Sequence, residues 1–193
     1  MGVPLIMVTT KLSLADYLSL ENGPEGLWEF VDGDIIEMPP ESEENVRVAR
    51  YLMVQLLQRV AFDQVRRNET EIIVAGRARL PDLMVIGPDL VQALTGQPRS
   101  RITEDMPAPL LVVEVVSPGK QNQDRDYRYK RSEYAARGIP EYWIVDPDRA
   151  RITVLTLVDG WYEAEELGPE GVLQSPQLPG LRLSVAEVLG AGR

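Results

Sequence analysis

Two acids and one lysine define the chemistry open to this chain. Glu114 lies inside the apolar run Leu110-Leu111-Val112-Val113-Glu114-Val115-Val116. An ionised carboxylate in such a β-rich segment costs on the order of several kcal/mol unless a cation compensates it. Asp82 stands at the entrance of a second apolar run, Leu80-Pro81-Asp82-Leu83-Met84-Val85-Ile86, and Lys130 follows on Asp126-Tyr127-Arg128-Tyr129-Lys130. Two carboxylates and an amine gathered at one sheet suit a divalent metal and a phosphate ester. They suit a buried ion pair equally well. Two neighbouring carboxylates repel and one pKa rises, unless a cation lies between them. Mg²⁺ takes one or two carboxylates and fills its other positions with water and phosphate oxygens. Asp82 and Glu114 are therefore candidate metal ligands, and Lys130 is the candidate catalytic amine.

Three further residues are in range of that set. Asp126, Lys130 and Tyr134 are spaced i, i+4, i+8 and share one helix face, so Asp126 can support Lys130. Lys120, nearest the end of the apolar strand, is a second-choice amine. Glu44 lies in the first turn of a long helix, where the helix dipole favours acids, and is the candidate third carboxylate.

The chain contains no His and no Cys. Serine and cysteine triads, Cys/His zinc sites, haem ligation and disulfides are thereby excluded. Acid–base chemistry must run on Asp, Glu, Lys or Tyr, and any metal must be a hard cation such as Mg²⁺ or Mn²⁺. At 193 residues and 44% hydrophobic, the chain fits one domain with a substantial core. No run approaches the roughly 20 apolar residues of a membrane span. Met1 to Val8 has no basic leader, and Ile6 occupies the Ser/Thr position of a myristoylation signal. The expectation is a cytoplasmic protein.

The net charge of −10 argues against general affinity for nucleic acid. The charge is uneven: between Lys120 and Arg137 six basic residues accompany three acids, whereas after Gly138 nine acids accompany four arginines. A local basic face is compatible with a phosphate backbone, and equally with an ordinary solvated helix.

The elements needed to position these residues are readable. Ser13-Leu14-Ala15-Asp16 has the form of a capping box opening a short helix through Leu20. Asp32-Gly33 between two alternating runs predicts a β-hairpin. Ser42 can cap a long helix to about Arg67, with Val48, Leu52, Leu56 and Val60 at helical spacing. Strands are expected over 71–75, 79–86, 110–116 and 141–145, short helices over 88–94 and 184–189, and a loop over 95–109. A helix over 124–137 ends at Gly138 and should link strands 110–116 and 141–145 by a parallel, right-handed crossover. A second hairpin turns at Asp159-Gly160, and 169–180 is a turn-rich crossing. The order gives an α/β fold: a mixed β-sheet flanked by helices, with an N-terminal and a C-terminal β-hairpin, in a single domain with its core at about 14–189.

A longer pattern joins these residues. Pro81-Asp82, Glu114-Val115-Val116 and a helical lysine resemble the PD-(D/E)xK nucleases, in the variant whose lysine has migrated from the strand. The run Glu114-Val115-Val116-Ser117-Pro118, Asp126, Lys130, Tyr134, then Gly138-Ile139-Pro140-Glu141-Tyr142-Trp143-Ile144-Val145-Asp146-Pro147, resembles the Uma-two family of restriction-endonuclease-like bacterial proteins. Trp28-Glu29-Phe30-Val31-Asp32-Gly33 is similar to that family's opening motif, so the likeness spans about Leu14 to Leu189. It implies a restriction-endonuclease-like fold and hydrolysis of nucleic acid, DNA above all, with Mg²⁺ or Mn²⁺. It also implies Asp82 and Glu114 as metal carboxylates and Lys130 as catalytic lysine. Val116 stands where the superfamily usually has its lysine, and Glu44 or Asn45 where family members often carry His. Cutting both strands of DNA would suit a homodimer.

Other readings compete. A nuclease-derived fold could serve as a binding or assembly module, its charges a structural ion pair. A glycosidase with paired carboxylates needs no lysine. Ser117-Pro118-Gly119-Lys120 imitates the end of a P-loop, but its earlier Gly is replaced by Glu114 and no Ser or Thr follows. Asp146-Pro147-Asp148 fits a type I turn.

Overall fold

The computed structural model describes residues 11–20 and 26–191. The N-terminal stretch read for a leader, Met1 to Val8, lies outside the described residues. Ser13 caps α1 (Leu14–Ser19), its hydroxyl accepting from the Asp16 N–H while the Asp16 carboxylate accepts from Ser13 N–H, as the capping box predicts. Strands β1 (Trp28–Val31) and β2 (Asp34–Glu37) follow. Their turn places Asp32 and Gly33 at φ 52° and 90°, the left-handed pair of a tight hairpin.

The helix capped by Ser42, α2 (Glu43–Leu57), stops well short of Arg67. The residues after it include a 3₁₀ turn (Phe62–Gln64) and β3 (Val65–Arg67), antiparallel to a later strand with Val65 opposite Val85. Sheet pairing overrides the helical spacing there; Val60 still packs against the core without a helix to carry it. β4 (Glu71–Val74) and β5 (Arg77–Arg79) make a hairpin, and β6 (Leu83–Val85) is separate. The expected single strand over 79–86 is split by Leu80-Pro81-Asp82. Proline lacks a ladder N–H and ends a strand. The chain therefore leaves one sheet and enters another at the residue before Leu83.

α3 (Pro88–Leu94) and the two-residue β7 (Arg101–Ile102) lead to β8 (Leu111–Val115). The next helical segment begins earlier than expected. It runs as α4 (Lys120–Asp124), a π-helical stretch (Arg125–Lys130) and α5 (Arg131–Ala136). β9 (Glu141–Asp146), β10 (Arg151–Val158) and β11 (Trp161–Leu167) complete the main sheet, with β9 parallel to β8 as expected. The stretch read as a crossing contains β12 (Val172–Gln174), which pairs with β13 (Arg182–Ser184) before α6 (Val185–Gly190).

Two larger sheets result, a six-stranded one in the order β11-β10-β9-β8-β6-β3 and a five-stranded one in the order β2-β1-β5-β4-β7. Period-two alternation sorts the side chains of the larger sheet. Leu111, Val113 and Val115 of β8, with Leu83 and Val85 of β6, pack against Leu52 and Leu56 of α2 and Val188 of α6. Val112 and Val116, with Met84 and Ile86, pack on the opposite face with Tyr134, Tyr142 and Leu90. Glu114 belongs by alternation to this second face. The smaller sheet is two-sided as well. Phe30 and Ala78 share a cluster with Tyr17, whose ring stacks on Phe30 at 4.6 Å. Glu29, Arg77 and Arg79 alternate with them and meet the helical segment. Among the described residues no helix is long and apolar enough to cross a membrane.

Candidate active site

The register places the two acids together. Leu83 lies opposite Val113 and Met84 opposite Val112 in the antiparallel β6–β8 pair. Extended by one residue, that register sets Asp82 opposite Glu114, and directly opposed residues point to the same face. Asp82 accepts the Val115 N–H through Oδ2 at 2.6 Å. That bond ties the Pro81 corner to the neighbouring strand. Glu114 Oε1 accepts the Tyr134 hydroxyl at 2.8 Å and lies 2.8 Å from Lys130 Nζ. Oδ1 of Asp82 and Oε2 of Glu114 form no hydrogen bond among the described residues. Both acids line one narrow cleft of about 40 Å³, with Asn45, Glu41, Ser117 and Arg125 among its other walls.

Burial dominates their electrostatics. It pushes Glu114 up to about 8, against the opposing pull of Lys130 and with help from the nearby Asp82 charge. Burial also raises Asp82 to about 6, while the Val115 N–H and Lys130 pull the other way. Two acids held above their usual range at one cleft are poised to exchange protons for a cation.

Lys130 is brought to Glu114 as expected, but from behind. It is 0% exposed and does not line the cleft. Its ammonium lies 2.8 Å from Glu114, 3.1 Å from Glu29 and 3.8 Å from Asp126, with none of these contacts aligned as a hydrogen bond. Burial opposes its charge, yet Glu114, Glu29 and Asp126 together raise its pKa. The π-helical stretch carries this arrangement. Its wider winding keeps Asp126 and Lys130 on the inner face, and Tyr134 continues that face from α5.

Glu29 is the buried acid that sequence reasoning missed. It comes from β1, accepts from Arg79 at 2.7 Å and from the Leu80 N–H at 3.3 Å. Burial works to raise it, but Lys130 and Arg79 outweigh that and hold it at about 2. Arg79 in turn makes two bonds at 2.7 Å to Glu133 of α5. A continuous ionic layer thus locks the smaller sheet to the helical segment. The only signal was Glu29 within the hairpin motif, where an acid reads as an ordinary outward position.

The cation facing the cleft is Arg125, also missed. Its Nε donates to Asp126 Oδ1 at 2.9 Å, and a second nitrogen reaches Oδ2 at 3.3 Å. Asp126 therefore holds Arg125 more closely than Lys130. Beside Asp124 and Asp126 in the sequence, Arg125 reads as one more solvated charge. Lys120 is exposed and outside the cleft. Glu44 does not line it either. From the same region the structure brings Glu41 and Asn45, whose amide donates to Val116 O and Ser117 Oγ at 3.3 Å. The N-cap geometry turns Asn45, not Glu44, inward.

The donor set fits a hard divalent cation: oxygen atoms only, two of them without partners among the described residues, in a cleft with room for an ion and little else. Among the described residues no group of three or more acidic side chains is arranged to cage a metal. Two carboxylates with water and phosphate completing the shell are what Mg²⁺ ordinarily uses.

No curated protein matches the chain. In fold it is similar to a protein of Anabaena variabilis ATCC 29413, solved by crystallography and described as "a putative nuclease belonging to DUF820". The TM-score is 0.74 at 16% identity, over 94% of this chain and 99% of that one, a likeness of fold. The model of the family Uma2, described as "Putative restriction endonuclease", matches residues 14–186. With a restriction-endonuclease-like fold and a match over that span, the chain belongs to the Uma2 family.

Proposed function

We propose that this chain is a Mg²⁺- or Mn²⁺-dependent phosphodiesterase that hydrolyses nucleic acid, DNA above all. The observation that carries this reading is the Asp82–Glu114 pair: same face, same cleft, one oxygen of each anchored and the other without a partner among the described residues. A bound ion of this kind polarises a phosphoryl group and makes water nucleophilic at neutral pH. The chain's own residues do the positioning. Val115 N–H orients Asp82, and the Tyr134 hydroxyl and Lys130 orient Glu114 and favour its ionised form. Lys130, sealed from the cleft, acts through Glu114. Arg125, steadied by Asp126, is the donor for a phosphate oxygen as charge develops there.

Cleavage of plasmid and oligonucleotide DNA with added Mn²⁺ tests this. Asp82→Asn and Glu114→Gln are each expected to lose on the order of 100-fold or more, as expected when a group acting at the reacting centre is removed. Cleavage surviving both substitutions contradicts the reading. A second reading has its own support. Lys130, fully buried between Glu29 and Glu114, suits a structural ion pair in a binding or assembly module. It predicts no Mn²⁺ binding that depends on Asp82, which calorimetric titration decides.

A further inference from the structure

Beside the carboxylate cleft lies a larger cavity of about 270 Å³, lined by Trp28, Asn68, Glu69, Arg99 and Ser100 among others. Leu27, Asn68 and Leu80 line both, so cavity and cleft form one groove. The two are also adjacent along the chain. Trp28 precedes Glu29, and Leu80 lies two residues before Asp82.

The cavity is built and stiff. Trp28 Nε1 donates to the Tyr17 hydroxyl at 3.2 Å, and the Arg99 guanidinium lies 5.5 Å from the Trp28 ring centroid. Arg99 is fixed by Glu71 at 2.7 Å and by the Leu20 carbonyl at 3.3 Å. Glu71 is held on both oxygens, since Tyr17 and Arg101 also donate to it. The polar groups left at the edge are acceptors and amides. Among the described residues Glu69 accepts only the Arg67 N–H, through one oxygen, and Asn68 donates to Glu41. Such a lining repels a phosphate. It suits a flat, uncharged, hydrogen-bonding ring that offers N–H donors.

The charge balance points the same way. Duplex affinity rests on lysines and arginines that neutralise a run of phosphates. The groove offers Arg125 and Arg99 against Glu41, Glu69, Glu71, Asp82 and Glu114, in a chain of net charge −10. Binding strength must then come from the bases. Unpaired bases stack on aromatic rings and guanidinium planes, worth about 1–3 kcal/mol each.

Resting on the phosphodiesterase reading, we infer that the Trp28–Arg99 cavity binds an unpaired nucleobase next to the scissile phosphate, making single-stranded nucleic acid the substrate class. A single copy of the chain then suffices for a cut.

Fluorescence anisotropy tests this with a fluorescein-labelled single-stranded DNA oligonucleotide and its duplex, in EDTA so that nothing is cleaved. The single strand is expected to bind at least about tenfold tighter than the duplex. Trp28→Leu should weaken it by roughly 5- to 100-fold, and Trp28→Phe should retain most of it. Arg99→Gln, at a partly exposed position that leaves the core intact, should also weaken it. Equal affinity for both forms overturns the inference, as does wild-type affinity in both Trp28→Leu and Arg99→Gln. The two readings fail separately. Mn²⁺-dependent cleavage lost in Asp82→Asn but untouched by the Trp28 and Arg99 variants leaves the nuclease and removes the base site. Single-strand binding that needs Trp28, without any cleavage, does the opposite.

Discussion

Glu114 is 2% exposed, and its charge is disfavoured by burial more than it is favoured by Lys130. Glu114→Gln keeps an acceptor for Tyr134 and removes the disfavoured charge. It is expected to change stability by less than about 1 kcal/mol, or to raise it, while abolishing metal binding. Lys130→Met is the counter-case. It leaves Glu29 and Glu114 facing each other without their ammonium and should cost about 3–5 kcal/mol, read by chemical denaturation. The pH dependence has a defined sign. Glu114 (about 8 folded, 4.5 as its ordinary value) and Asp82 (about 6 against 3.8) bind protons more tightly when folded. Stability without metal therefore rises as pH falls from 8 toward 4.5. Glu29 acts oppositely: held at about 2, its contribution is full above 4.5 and is lost as pH falls through about 2. Thermal melting in EDTA should show a maximum near pH 4–5; a midpoint that does not change between pH 5 and 8 contradicts this. Asp82, Glu114 and Lys130 were legible because each is a polar residue in a patterned segment. Glu29 and Arg125 were not, since their burial depends on a sheet and a helix meeting that the local pattern does not encode.

At the scale of elements, the site depends on three departures from regularity. Pro81 ends one sheet and starts the next, which puts Asp82 at the seam between them. The π-helical stretch Arg125–Lys130 aligns Asp126 and Lys130 inward and leaves Arg125 at the cleft. The β1–β2 turn delivers Glu29. Its Gly33 has φ +90°, and a Cβ there would lie 2.6 Å from Lys11 Cβ and 3.1 Å from Leu12 O. Gly33→Ala should therefore destabilise by roughly 1–2 kcal/mol and lower cleavage by displacing Glu29 from Lys130. A variant that melts and cuts like the wild type would show the hairpin to be dispensable. Both hairpins and the parallel β8–β9 pair were readable from turn residues and alternation. The end of α2, the split at Pro81 and the π-helical winding were not. Each is decided by partners distant in sequence: Val85 for Val65, Val113 for Leu83, and Tyr142, whose hydroxyl donates to the Asp126 carbonyl.

For the whole molecule, the question is how an acidic protein would handle the polyanion proposed as its substrate. The sequence showed the overall charge but not its local arrangement, because a charge total is blind to which arginines line the groove. With Arg125 as the groove's contact to phosphate, binding should weaken only gently with salt. A log–log slope of about −0.7 is expected for one neutralised phosphate on a single strand. A slope several times steeper would mean a basic track elsewhere. Belonging to the Uma2 family fixes the fold class but not a metal, and a metal is what the proposed hydrolysis requires. A crystal soaked in Mn²⁺ and measured for anomalous scattering addresses it directly. The account predicts a peak in contact with Oδ1 of Asp82 and Oε2 of Glu114 that disappears in Glu114→Gln. A well-ordered cleft without such a peak, with Glu114 bound only to Tyr134 and Lys130, would contradict it.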